Sequence, residues 1–341
     1  MNRIKQIYKD TLCCEPILRR MPNGELLCVA QCGDISEPAP GNRVYVFHSG
    51  DNGETWTRPV SIFPEDGQAV YATEVMVVEN EISVFLTLHN GGFINWNCVV
   101  MKSTDNGYTW SNAGPPPHYG SFTFFRGMLR LKSGTLLVPY QHYDISPEQN
   151  RLFLEKKERF IMKTYMDEVE NGVVLSHDNG KTYKPCNRPV KSPTVNGWAW
   201  SEPTLAELSD GRVAMLLRKC ASGFLWYSES LDGGLTWSPE VKTDIPNPSN
   251  KPKLIPLPDG KIALIHTPNN KGYEKSGWAQ RFPLEVWITN DDMKTWPYKR
   301  VMTEFPGSYD YADGFYENGH ILFSIEHNRQ AILFFDHALE L

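Results

Sequence analysis

An eight-residue pattern, S-x-D-x-G-x-T-W, recurs along this chain and dictates most of what it can fold into. It runs from Ser49 to Trp56, from Ser103 to Trp110 and from Ser230 to Trp237. Ser176 to Tyr183 repeats it with tyrosine in the last place, and Thr289 to Trp296 is a worn copy with Met293 where glycine belongs. Each copy follows an alternating apolar run, such as Val44-Tyr45-Val46-Phe47, that reads as a strand. The aspartate can bond nearby backbone N–H groups and the glycine accepts a positive φ, so the pair makes a turn that the aromatic residue anchors. Copies 54, 73, 54 and 59 residues apart mark a supersecondary unit repeated at the spacing of a propeller or array.

A second repeat precedes each of these turns: apolar strand, short turn, apolar strand. Glu15-Pro16-Ile17-Leu18 returns through Asn23-Gly24 into Leu26-Leu27-Cys28-Val29. Later versions turn at Asn80, Ser133-Gly134, Asp210-Gly211, Asp259-Gly260 and Asn318-Gly319. Six such hairpins against five octapeptides predict an all-β, six-bladed β-propeller of four-stranded blades, a single domain over residues 1–341 with the last octapeptide lost. A strand around Ile4–Tyr8 is expected to pair with Ala331–Phe335 and close the ring, leaving no open edge. A charged insert at about residues 145–170 in the third blade accounts for the long step of 73. Its stretch from Leu152 to Phe160 reads as a short helix, placed either to cap a pocket or as a surface excursion or dimer contact.

Charge and composition narrow the function. A formal net charge of −6 argues against a nucleic-acid surface, and no run of about 18 apolar residues suggests a membrane helix. The start, Met1 to Gln6, lacks the apolar stretch of a secretory signal, so cytoplasmic residence is the expectation. Seven cysteines, two of them adjacent at Cys13-Cys14, do not read as a disulfide framework. Neither H-E-x-x-H nor C-x-x-C is present, and no metal or cofactor is expected.

The hairpins also indicate where a site would lie. The outer ends of a hairpin sit side by side, opposite its turn, so the residues flanking all six gather on one face around the axis. Those flanks are Cys14-Glu15 with Gln31, Glu74 with His89, Arg126 with Gln141-His142, Glu202 with Arg218, Lys251 and Lys253 with His266, and Tyr309 with Glu326. A polar funnel at the end of apolar strands is a pocket for a polar ligand.

Four segments carry a specific likeness. Trp200-Ser201-Glu202-Pro203-Thr204-Leu205, Asp210-Gly211-Arg212 and Met215-Leu216-Leu217-Arg218 resemble the fourth-blade signature of the sialidase-like superfamily, whose octapeptide turns are Asp-boxes. Ser308-Tyr309-Asp310-Tyr311, followed by Glu326, is similar to that family's nucleophile segment. The resemblance implies a glycoside hydrolase acting on a terminal, acidic sugar of a glycan or oligosaccharide. It implies Tyr309 as nucleophile, with Tyr311 next in line, and Glu202 as its base. Arg218 and Arg281 are implied to grip a substrate carboxylate, with Glu326 closing the site. The general acid falls to Asp34 in the loop after the first hairpin, with Glu37 in reserve. Glu74, His142 and Trp198 complete the expected substrate-binding set, although Trp198 equally suits packing between blades. The chemistry fits these residue types: a phenol with a pKa near ~10 needs an adjacent base, and a planar guanidinium makes two bonds to one carboxylate.

One departure stands out. The family's first triad arginine leads the first inner strand, and here Cys13-Cys14-Glu15-Pro16 occupies that segment. The departure predicts little hydrolysis of ordinary sialosides. Two other functions fit the same residues: a lyase of uronate-containing glycans with His142, His266 or His327 as base, and a non-catalytic carbohydrate-binding propeller.

Overall fold

Alternating apolar strands of the predicted hairpins each extend outward into an antiparallel sheet in the computed structural model, which describes residues 3–64, 67–90, 92–156, 167–195, 200–271, 279–303 and 305–339. The first blade runs outward from Cys13–Arg20 through Leu26–Cys32 and Arg43–Ser49 to Val60–Ser61. The second, fourth and fifth repeat that order, starting from Ala69–Val78, Pro203–Glu207 and Lys253–Pro256. In the third blade the inner strand is broken into Thr123–Phe125 and Leu129–Arg130, and both Lys184–Pro185 and Val190–Pro193 pair with Glu168–Ser176. The sixth runs from Tyr309–Glu317 through His320–His327 and Ala331–Ala338 to the N-terminal strand Arg3–Lys9. Ile4 lies opposite Phe335 and Tyr8 opposite Ile332, so the first strand completes the last blade as the sequence suggested.

The core sits between blades. Ile17, Val29 and Val46 of the first blade meet Val70, Val84 and Met101 of the second, and a comparable apolar cluster fills each of the other junctions. A blade alone would leave both of its faces wet, so stacking around a closed ring is what buries them.

The octapeptide turns carry their own hydrogen bonds. In the first, Asp51 Oδ1 accepts from Ser49 Oγ at 2.7 Å and from the Thr55 amide at 2.9 Å, while Thr55 Oγ1 donates to Oδ2 at 2.6 Å. The same set recurs around Asp105, Asp178, Asp232 and Asp291. Even the worn copy keeps it, with Met293 itself at a φ of 63°.

The helix of the insert starts earlier than expected, spanning Pro147–Lys156. Ser146 opens it by accepting the Gln149 amide on its hydroxyl, a capping arrangement that the charge pattern further along had hidden. Its Phe153 is buried in a cluster with Phe93, Trp96, Phe124 and Tyr143, so the helix buttresses the face on which the strand ends gather.

Candidate functional site

The inner strands do not reach the axis unbroken. Register slips between Cys14 and Ile17 in the first blade, and between Asp310 and Asp313 in the sixth. Glu15 and Tyr311 sit in these bulges with φ values of 48° and 55°. Such a backbone costs a non-glycine residue on the order of 1–3 kcal/mol, and bulges re-aim side chains. Here both side chains turn into one cavity.

That cavity, of about 190 Å³, has an aromatic lining of Phe93, Phe124 and Trp200 and a polar lining of Glu15, Glu37, Arg218, Arg281, Tyr311, Glu326 and Arg329. Directly behind Tyr311 lies Glu202, whose Oε1 accepts the Tyr311 hydroxyl at 2.9 Å. Arg218 Nη1 spans the two, 2.7 Å from Glu202 Oε2 and 3.0 Å from Tyr311 Oη. Arg126 approaches the same carboxylate at 3.7 Å, lies over the Phe124 ring at 4.7 Å, and donates to Glu15 at 2.5 Å. Arg281 pairs with Asp310 at 2.8 Å and donates to the Ser249 carbonyl at 2.9 Å. Arg329 pairs with Glu37. Glu326 accepts the Glu15 amide at 2.9 Å.

Burial and charge pull these groups apart in proton affinity. Burial opposes ionisation of Glu202, but Arg218 and Arg126 outweigh it and hold the carboxyl below its usual range. Glu326 is pushed well above its usual range, first by burial and then by the Asp310 charge. Burial, reinforced by the Glu202 charge, keeps the Tyr311 phenol firmly protonated. The cavity therefore holds an ionised carboxylate bonded to a phenol, together with a second carboxyl that favours its proton.

The structure rearranges the expected set. Glu202, Arg218 and Glu326, which stand at strand ends, converge, and Arg281, which the family resemblance implied, lies beside them. Tyr309 does not reach Glu202: its hydroxyl donates to the Phe305 carbonyl at 2.9 Å and its ring packs in the core between the fifth and sixth blades, stacked on His327. Tyr311 takes that place. Asp34 is consumed by its own loop, with Oδ1 accepting the Ile35 amide and Oδ2 the Gly41 amide, while Glu37 reaches the cavity wall. Glu74 is bonded to Arg19 and the Gly127 amide in a separate buried network that includes Asp313 and Lys253. His142 stacks on Tyr119 at 3.6 Å and pairs with Thr123, outside the cavity. His266, edge-on to Trp287, and His327 are likewise absent from its lining. Trp198 lies outside the described residues.

Sequence reasoning had assigned no role to Arg126, Phe93, Phe124 or Trp200. For Arg126 a signal existed, since it flanks one hairpin as Glu15 flanks another with opposite charge. Trp200 opens the fourth-blade signature, whereas Phe93 and Phe124 belong to no motif.

A family model described as a BNR repeat-like domain matches residues 68–322. The chain belongs to the BNR repeat-like family. Among solved structures, this BNR repeat-like chain superposes on a Hadza microbial sialidase with a TM-score of 0.74 at 19% identity, over 96% of this chain and 66% of that one. It superposes equally on a protein of unknown function from Dyadobacter fermentans, with a TM-score of 0.74 at 18% identity over 99% of both chains. With Trypanosoma rangeli sialidase in complex with sialic acid the TM-score is 0.67 at 16% identity, over 96% of this chain but 54% of that one. Comparison with curated protein sequences finds no match. At these identities the likeness establishes a sialidase-like fold for the BNR repeat-like chain.

Proposed function

We propose that the protein hydrolyses a glycosidic bond at the end of a glycan, with Tyr311 as nucleophile and Glu202 as its base. The observation that carries this reading is the Tyr311–Glu202 hydrogen bond of 2.9 Å, bridged by Arg218 and facing a cavity of monosaccharide scale. Tyr311 is held protonated, so attack on the anomeric carbon is coupled to proton transfer onto Glu202. The new Oη–carbon bond forms as the bond to the leaving oxygen breaks. Glu326, whose carboxyl burial and the Asp310 charge push towards the protonated form, supplies the proton that the leaving oxygen needs. Water then displaces Tyr311, giving up a proton to the Glu326 carboxylate while Tyr311 recovers its own from Glu202. Arg218 steers the cycle by bonding both partners through one nitrogen.

The sialidase-like fold supports a glycan as partner. None of the three histidines offered as a lyase base, His142, His266 or His327, belongs to the cavity lining, which favours the tyrosine mechanism. The test is a pair of substitutions assayed on a panel of nitrophenyl glycosides. Tyr311→Phe should reduce turnover by about 10²–10⁴-fold, the range for a lost proton-coupled group. Tyr309→Phe should leave turnover within a few-fold of wild type and lower stability by about 1 kcal/mol through the lost Phe305 bond. Equal losses in the two variants would sink the assignment, and a wild type inert on every glycoside would indicate a binding module.

A further inference from the structure

The hydrolase reading leaves the sugar unnamed, and the ion pairs around the cavity place on it a restriction that rests on that reading. Every arginine at or beside the cavity already has a carboxylate partner. Arg218 holds Glu202 at 2.7 Å, Arg281 holds Asp310 at 2.8 Å, Arg126 holds Glu15 at 2.5 Å, and Arg329 holds Glu37. Glu326 adds a further acid to the lining, one that forms no ion pair with an arginine among the described residues. An anionic sugar gripped by the spare donors of these arginines would either lie beside the carboxylates they already hold or displace one of them. Glu15, Glu202 and Asp310 are all buried, and a buried carboxylate stripped of its cation is costly. The incoming anion would also meet the like charges of the acids it displaced.

An uncharged ring meets none of these penalties. Paired guanidinium and carboxylate groups retain spare donors and acceptors, which match the mixed hydrogen bonding of sugar hydroxyls. Phe93, Phe124 and Trp200 give the lining an apolar side suited to the C–H groups of a pyranose. We propose that the cavity selects an uncharged sugar ring, and that Glu15 sets this selectivity by occupying Arg126. The reading reverses the acidic substrate implied by the family resemblance. It gives Glu15, in the segment where that family has an arginine, a positive role.

Two measurements test this. The first compares turnover of neutral nitrophenyl hexosides, deoxyhexosides and N-acetylhexosaminides with that of N-acetylneuraminide and glucuronide. The second titrates free N-acetylneuraminate into wild type, Glu15→Gln and Glu37→Gln by calorimetry, with thermal melts to establish that each variant is folded. Glu37→Gln, near the half-exposed Arg329, frees a second arginine in case the buried substitution does not fold. Activity confined to neutral glycosides, with N-acetylneuraminate binding at least ~10-fold tighter in a folded variant than in wild type, is the expected result. Wild type that prefers N-acetylneuraminide, with activity lost in Tyr311→Phe, overturns this inference and leaves the hydrolase reading standing. Anion binding gained in the variants while no glycoside is turned over removes the hydrolase reading and keeps the charge assignment. No gain in any folded variant refutes the role given to Glu15.

Discussion

Replacing Arg218 with leucine should be among the most destabilising changes this site can take, and its effect should depend on pH in a defined direction. Arg218 and Glu202 are both buried and lie 2.7 Å apart. Removing one member of a buried pair typically costs about 3–5 kcal/mol because the other is left charged without compensation. Two contacts soften the loss: Tyr311 still donates to Glu202 at 2.9 Å, and Arg126 remains 3.7 Å away. The expected cost near neutral pH is therefore at the lower end, about 3 kcal/mol. In the wild type the folded Glu202 carboxyl titrates below its ordinary value of 4.5, so its stabilisation is complete above that value and is lost as pH falls through the folded pKa. Without Arg218 burial dominates, and the folded pKa should rise above 4.5. A raised pKa contributes stability below the unfolded value and loses it as pH increases. The gap between wild type and Arg218→Leu should thus be widest at neutral pH and narrow as pH falls through the variant's raised pKa and on through the wild type's, below 4.5. Urea denaturation of both proteins across that range measures it, with circular dichroism as the readout. A cost below about 1 kcal/mol at neutral pH, or one that stays constant across the range, would show that the pair is not a buried, ionised unit.

Two further outcomes follow from the same geometry. Glu326→Gln, which mimics the protonated carboxyl, should weaken the loss of stability on the alkaline side, since the raised pKa of Glu326 makes the wild type less stable as pH increases. It should also slow alkyl glycosides, whose leaving oxygens need a proton, far more than nitrophenyl ones, as steady-state rates on matched pairs will show. Asp232→Ala removes the acceptor of three hydrogen bonds from Ser230 and Thr236 in the fourth-blade turn. Because that turn is largely solvated, the loss should be about 1 kcal/mol in a denaturant melt, with turnover unchanged.

The sequence alone determined the ring of blades, because the devices that make it are local. An octapeptide turn satisfies its own aspartate within a few residues, and a hairpin's alternation names its buried face whatever lies beyond. Closure by the first strand was equally legible, since an apolar strand at each end of a propeller has one edge left to cover. The gathering of Glu202, Arg218 and Glu326 followed from the same logic, each standing at a hairpin end, whereas Arg281 came from the family resemblance.

The identity of the tyrosine did not follow. Tyr309 and Tyr311 are two residues apart and would share one face of a regular strand, so alternation cannot choose between them. The choice was made by the bulge between Asp310 and Asp313, which turns Tyr311 to Glu202 and leaves Tyr309 in the core between blades. The same holds for Glu15, redirected by a bulge onto Arg126, which lies 111 residues further along the chain. It holds too for the loop in which Asp34 bonds backbone amides while Glu37 reaches the cavity. A bulge is stable only where the partners it reaches repay its backbone cost, and those partners come from other blades. Their positions exist only once the ring has closed.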